Sequence, residues 1–185
     1  MTAALLGGVS LLERAVNYAL GALHPVTRAD LSAPTPCPAW DLRALLAHLD
    51  ESLLALHEAA SGHVRLDPAT YRRDDPVATV RARASELVGA WTHSTRTGVT
   101  IGDAGLTTSI LTATGAVEIA VHGWDVATAT GRHHPLPPAL AEDLLALTPF
   151  LVSDLDRPAR FGAPVPVLAG AAAGDRLLAF LGRRP

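Results

Sequence analysis

The stretch E118-I-A-V-H-G-W-D125 decides how this chain is read. It sets a glutamate, a histidine and an aspartate inside an otherwise apolar run. Glu118 and His122 are four residues apart, so on a helix they project from one face. The same face reaches back to Leu111 and Gly115 and forward to Asp125 and Ala129. Val117, Ile119, Ala120 and Val121 surround the pair, and an unpaired charge in such surroundings costs several kcal/mol. Water, another side chain or a metal ion can supply the missing partner. The pattern predicts a helix from about Thr108 to Thr130, closed by Gly131 as its C-cap.

Working outward, the remaining elements are also helical. Residues 3–23 carry leucine, valine and alanine at helical spacing. The segment His24 to Trp40 holds Pro25, Pro34, Pro36 and Pro38, which make an extended, stiff loop. Asp41 then reads as an N-cap, followed by a stripe of leucines that predicts a helix over 42–60. Asp75-Pro76 is a second start signal, a capping carboxylate before a proline at the first helical position, for a helix ending near Trp91. Residues 94–107 are rich in threonine and glycine and fit either a loop or a short irregular strand. Pro137-Pro138 introduce a helix over 139–152. A proline-rich segment, Asp156 to Pro166, precedes a short helix over 174–181. These elements predict an all-α fold, a four-helix bundle with short additional C-terminal helices. The chain reads as a single domain over 1–185, with 153–185 forming its C-terminal tail.

Composition supports this and excludes other classes. Of 185 residues, 49% are apolar but only 4% are aromatic, a mixture that suits helix-on-helix packing. All 15 basic residues are arginine, scattered along a chain of formal charge −3, which is no nucleic-acid footprint. The pairs Arg72-Arg73 and Arg183-Arg184 read as solvated surface. The single cysteine, Cys37, excludes an internal disulfide framework and a cysteine cluster. No apolar run is long enough to span a bilayer. The N-terminus reads as a first helix rather than an export signal, so a cytoplasmic location is expected. Nothing in the sequence decides between monomer and homodimer.

The helix over 42–60 offers a partner for the buried pair. His48 lies in R43-A-L-L-A-H-L-D50, with Ala44 and Leu45 one turn back and the polar Glu51 and Ser52 one turn forward. Its face is mixed, which puts the ring at the rim of the core. Brought opposite Glu118 and His122, it completes a set of two imidazoles and one carboxylate. Such a set holds zinc with a position left open, and equally suits iron, nickel, cobalt or manganese. From spacing alone, an ordinary i,i+4 contact or a core hydrogen bond competes with metal ligation.

T35-P-C-P-A-W-D-L-R-A-L-L-A-H48 resembles the opening motif of actinobacterial metal-binding proteins related to mycothiol-dependent maleylpyruvate isomerase, within the DinB/YfiT-like superfamily of four-helix bundles. E118-I-A-V-H-G-W-D-V-A-T-A-T-G131 resembles the second signature of that group, and D175-R-L-L-A-F-L-G-R-R-P185 the ending of its short members. The resemblance implies that His48, Glu118 and His122 are ligands of a divalent metal, usually zinc. It implies further that the metal activates a low-molecular-weight thiol, with mycothiol as cosubstrate, towards a small electrophilic substrate. A metal-dependent hydrolase or lyase using activated water, and a non-catalytic metal-binding protein, are the alternative readings. The isomerase of the family draws an arginine-containing substrate grip from a further C-terminal domain. No such grip is identifiable here, so maleylpyruvate isomerisation is not expected. Arg160 or Arg176 can be imagined taking an anionic substrate, but each is more simply a surface arginine.

Asp125, one turn beyond His122, is placed to orient an imidazole through its second nitrogen; otherwise it is exposed or ties the helix to the preceding loop. Trp40, Trp91 and Trp124 read as structural, with indole nitrogens needing partners. Gly123 suits close helix packing. Cys37, set between prolines, reads as a structural cysteine rather than a nucleophile. His24, His57, His63 and His93 have no special spacing, and His133-His134 read as surface residues after a helix end.

Overall fold

The computed structural model describes residues 7–65, 75–157 and 160–185. Among them are six α-helices, α1 (Gly8–Leu23), α2 (Leu42–Ala60), α3 (Pro76–Thr92), α4 (Thr108–Ala129), α5 (Pro138–Leu151) and α6 (Ala173–Phe180), and two short 3-10 turns, Arg28–Ser32 and Asp154–Asp156. The start of the first predicted helix and the Arg72-Arg73 pair lie outside the described residues. None of the described helices is long and apolar enough to cross a membrane.

The local signals behave as their chemistry requires. Asp41 accepts a hydrogen bond from the backbone N–H of Ala44 at 2.8 Å, and Asp75 does the same for Ala78 at 3.0 Å. Each satisfies one of the donors that a helix start leaves without an intrahelical acceptor. At the other end of α4, Gly131 takes φ +67°, and Arg132 N–H bonds back to Ala127 O while Gly131 N–H bonds to Thr128 O. That pair of bonds is a Schellman turn, which needs a left-handed residue at this position.

The threonine-rich segment, open between loop and strand in the sequence, forms an antiparallel hairpin of β2 (Gly98–Ile101) and β3 (Ala104–Thr107). A two-residue strand β1 (His63–Val64) pairs parallel to β2, with His63 opposite Thr100. This strand has no sequence signal, because two residues carry no periodicity. The small sheet sits beside the end of α2 and leaves the fold all-α in character.

Helix α4 is the axis of the bundle. It packs against α1, α2 and α5, and α2 also packs against α3. Its buried residues lie around most of its circumference, from Thr112 and Ala113 to Val126 and Ala127, as expected for a largely enclosed helix, whereas Thr114 is exposed. Small residues permit the close approaches. A Cβ on Gly123 would stand 3.0 Å from Ala19 Cα on α1, and one on Gly115 would stand 2.6 Å from a Leu56 methyl carbon on α2. The second approach brings α2 near enough for His48 to face Glu118. Two buried polar groups elsewhere find backbone partners: Trp91 Nε1 donates to Leu56 O at 3.0 Å, and Thr148 Oγ1 donates to Leu144 O at 2.6 Å.

Replacement of Gly123 by valine should therefore force α1 away from α4. The expected cost is about 1–3 kcal/mol, the usual range for overpacking, read as a lower urea midpoint at unchanged slope. A midpoint equal to that of the parent protein would show that the contact yields without cost.

Candidate metal centre

Four segments meet at the site: the proline loop, α2, α4 and the C-terminal turn after α6. In the loop, Thr35 Oγ1 accepts from Cys37 N–H at 3.1 Å and donates to Trp40 O at 2.9 Å, while Trp40 N–H donates to Cys37 O at 2.9 Å. Prolines at 34, 36 and 38 remove competing donors, so the threonine hydroxyl organises the turn. The turn holds Trp40 with its ring centroid 4.7 Å from that of His48 and 6.1 Å from that of His122.

The three residues expected from the sequence do converge. His48 Nε2 lies 2.6 Å from Glu118 Oε1, and His122 Nε2 lies 3.2 Å from the same oxygen. One potential donor atom from each of His48, Glu118 and His122 falls within 4.8 Å of the other two. Ser52 Oγ donates to Glu118 Oε1 at 3.3 Å. The His122 side chain is 7% exposed, whereas those of His48 and Glu118 are 33% and 27% exposed, so His122 is the most deeply buried of the three candidates.

Behind His122, its Nδ1 lies 2.9 Å from Asp125 Oδ2, and Asp125 is fully buried rather than exposed. The ring is thereby turned so that Nδ1 faces Asp125 and Nε2 faces Glu118, the orientation a ligating histidine needs. Asp125 also receives Arg183 Nη2 at 2.9 Å on Oδ2 and Arg183 Nε at 3.3 Å on Oδ1. The reading of Arg183 as solvated surface is corrected here: its side chain is 9% exposed and ion-paired inside the site. A run of two arginines at a chain end carries no signal of this, because the turn that folds it inward is tertiary. Cys37 stands in the same group, with its thiol 3.6 Å from Asp125 Oδ2 and Arg183 Nη2 at 3.3 Å from its sulfur.

A cavity of about 900 Å³ opens over these residues. Trp40, His48, Glu118 and His122 line it together with Val117, Val121, Leu151, Val152 and Phe161. Arg160 also lines it, whereas Arg176 is exposed on α6 and does not. Trp40, expected to be merely structural, is part of the wall. Among the remaining histidines, His134 leaves the surface to stack on Tyr18, with centroids 4.6 Å apart.

Electrostatics follow from burial opposed by close partners. Burial favours the neutral form of Glu118, but hydrogen bonds and positive charge from His122 and His48 prevail and hold its carboxyl far below the usual range. Burial would likewise lower the pKa of His122. Its hydrogen bonds to Asp125 and Glu118, and their charges, instead push it up to about 9. Asp125 is lowered despite its burial, by hydrogen bonds from His122 and Arg183. For Cys37, burial and then the charge of Asp125 raise the thiol to about 11, which keeps it protonated and a poor nucleophile near neutrality.

The donors suit a divalent cation. Two imidazole Nε2 atoms and a carboxylate oxygen form a mixed nitrogen–oxygen set on two helices, a set typical of zinc and of other first-row ions. A second triad of Cys37, His122 and Asp125 also has atoms within 4.8 Å of one another, but the guanidinium of Arg183 already neutralises it.

The chain matches the family model described as mycothiol maleylpyruvate isomerase N-terminal domain over residues 12–127. It belongs to that family, and with it to the DinB/YfiT-like superfamily of helical bundles. Comparison with curated proteins finds no match.

The metal-free protein should show a two-sided pH profile. The pKa of His122 is raised above its unfolded value, so its contribution is complete below pH about 6.5 and is lost as pH rises through about 9. Asp125 and Glu118 are depressed, so theirs is present above pH about 4 and is lost as pH falls through their folded values. Both limbs express the same interactions and do not add. The free energy of unfolding after chelation, read from denaturant titrations, should decline between pH 6.5 and 9 by at most about 3 kcal/mol, and His122→Gln should flatten that limb. An equally steep alkaline limb in the variant would assign the titration to another group.

Proposed function

We propose that this protein is a metal-dependent enzyme in which His48, Glu118 and His122 hold one divalent ion, zinc in the simplest case, and that it joins a small thiol of the mycothiol type to an electrophilic small molecule. The observation that carries this reading is the convergence of three donor side chains on one point in the wall of an apolar cavity. Nickel, iron, cobalt and manganese suit the same donors. When bound, such an ion supplies Lewis acidity that favours the deprotonated form of a thiol or a water at neutral pH.

The side chains divide the work. Glu118 cancels one of the two positive charges and leaves the rest for substrate. Asp125 retains the proton on His122 Nδ1 and so keeps Nε2 available as a donor. Val117, Val121, Leu151, Val152 and Phe161 give the carbon skeleton of an electrophile an apolar surface. Cys37 stays a neutral thiol, so the reacting sulfur belongs to the cosubstrate. The family relationship supports mycothiol as that cosubstrate.

Alanine at His48 or His122 should weaken zinc binding by more than about 100-fold, beyond what loss of an outer hydrogen bond costs, as read by metal analysis after dialysis. The parent protein, supplied with zinc and mycothiol, should consume an epoxide or activated alkene and form a thioether. Turnover of a substrate by water without any thiol would replace this reading by a hydrolase. Unchanged metal content in both alanine variants would overturn the ligand assignment.

A further inference from the structure

We infer that Arg183 is a positioning residue for the metal centre, so that the C-terminal turn completes a site whose candidate ligands all lie on α2 and α4. The inference rests on the metal reading above and adds a residue outside the span matched to the family, 12–127.

The placement of Arg183 begins with a local device. After α6, Gly182 takes φ +82°, its N–H bonds to Ala179 O at 3.0 Å, and Arg183 N–H bonds to Leu178 O at 2.9 Å. These are the two bonds of a Schellman turn, which reverses the chain and sends Arg183 back towards α4. The turn is held against the loop before α6, because a Cβ on Gly182 would stand 2.7 Å from Gly162 Cα. Arg183 Nη1 donates to Leu181 O at 3.1 Å, which fixes the guanidinium relative to its own turn.

From there the geometry runs in one direction. Two nitrogens of Arg183 meet both oxygens of Asp125, at 2.9 and 3.3 Å. A forked contact of this kind sets the plane of a carboxylate as well as its charge. Oδ2 then takes His122 Nδ1 at 2.9 Å, and the opposite ring nitrogen is the one directed at Glu118. Arg183 touches neither Glu118 nor His48 among the described contacts; it acts through Asp125. The same guanidinium reaches Cys37 Sγ, tying the loop that carries Trp40 to the same anchor.

The test is titration with Co²⁺, whose absorption bands report ligand geometry, on the full chain and its variants, with circular dichroism and melting temperature measured alongside. Arg183→Gln should raise the Co²⁺ dissociation constant by about 10- to 100-fold and shift the visible bands. Arg183→Lys, which keeps the charge but loses the fork, should lie between Gln and the parent, and it carries the test if the Gln variant does not fold. Asp125→Asn should show a similar loss, and adding Arg183→Gln to it should cost little more. Arg176→Gln, on the exposed side of α6, should bind as the parent does. Parent-like affinity and bands in the folded Arg183 variants, or losses that simply add to that of Asp125→Asn, would overturn the positioning role. Failure of the metal reading is distinct: the parent would take up no Co²⁺, or His48→Ala would bind it as tightly.

Discussion

A carboxylate sealed from water has to be paired, and the pairing of Asp125 governs the centre of this molecule. Removing one charge from solvent carries a penalty of several kcal/mol unless hydrogen bonds and an opposite charge offset it. Asp125 meets that requirement with His122 on its own helix and Arg183 from the end of the chain. Both partners are thereby fixed. The ring of His122 cannot turn without breaking its bond to Oδ2, and the C-terminal turn cannot detach without leaving a buried charge half-compensated.

The rest of the bundle makes that burial achievable. Helix α4 is enclosed by α1, α2 and α5, and its glycines let backbones approach where a methyl group would collide. Close approach by α2 sets His48 against Glu118; close approach by α1 seals the side of α4 that bears Gly123. Packing and electrostatics are therefore one problem here. Glu118 and His122 are tolerated in an apolar helix because each is within hydrogen-bonding or ion-pairing reach of a partner.

The site has a graded character that fits its chemistry. The deepest groups, Asp125 and His122, are buried, whereas Glu118 and His48 are more open to a cavity wide enough for a small molecule. The wall is largely apolar, with Trp40 as a cover held by the proline loop. An ion bound there would have its protein ligands on one side and space for an exchangeable ligand on the other. Cys37, although adjacent, is withheld from nucleophilic duty by burial and by the neighbouring negative charge of Asp125.

Much of this was legible in the residues alone. Helical periodicity, the capping aspartates at 41 and 75, and Gly131 defined the helices nearly to the residue, because those signals act over three or four positions. The i,i+4 spacing of Glu118 and His122 in an apolar run pointed to a buried polar pair, and His48 followed as a partner from a second helix. The hairpin over 98–107 and the two-residue strand at 63–64 were not decided locally, since pairing between short strands depends on what lies beside them. Nor did the sequence reveal that Arg183 and Trp40 belong to the site, or that Asp125 is fully buried. Helix type and face are properties of neighbours along the chain, whereas the partners of a buried charge are chosen by contacts between residues far apart in it, and only the folded structure contains those.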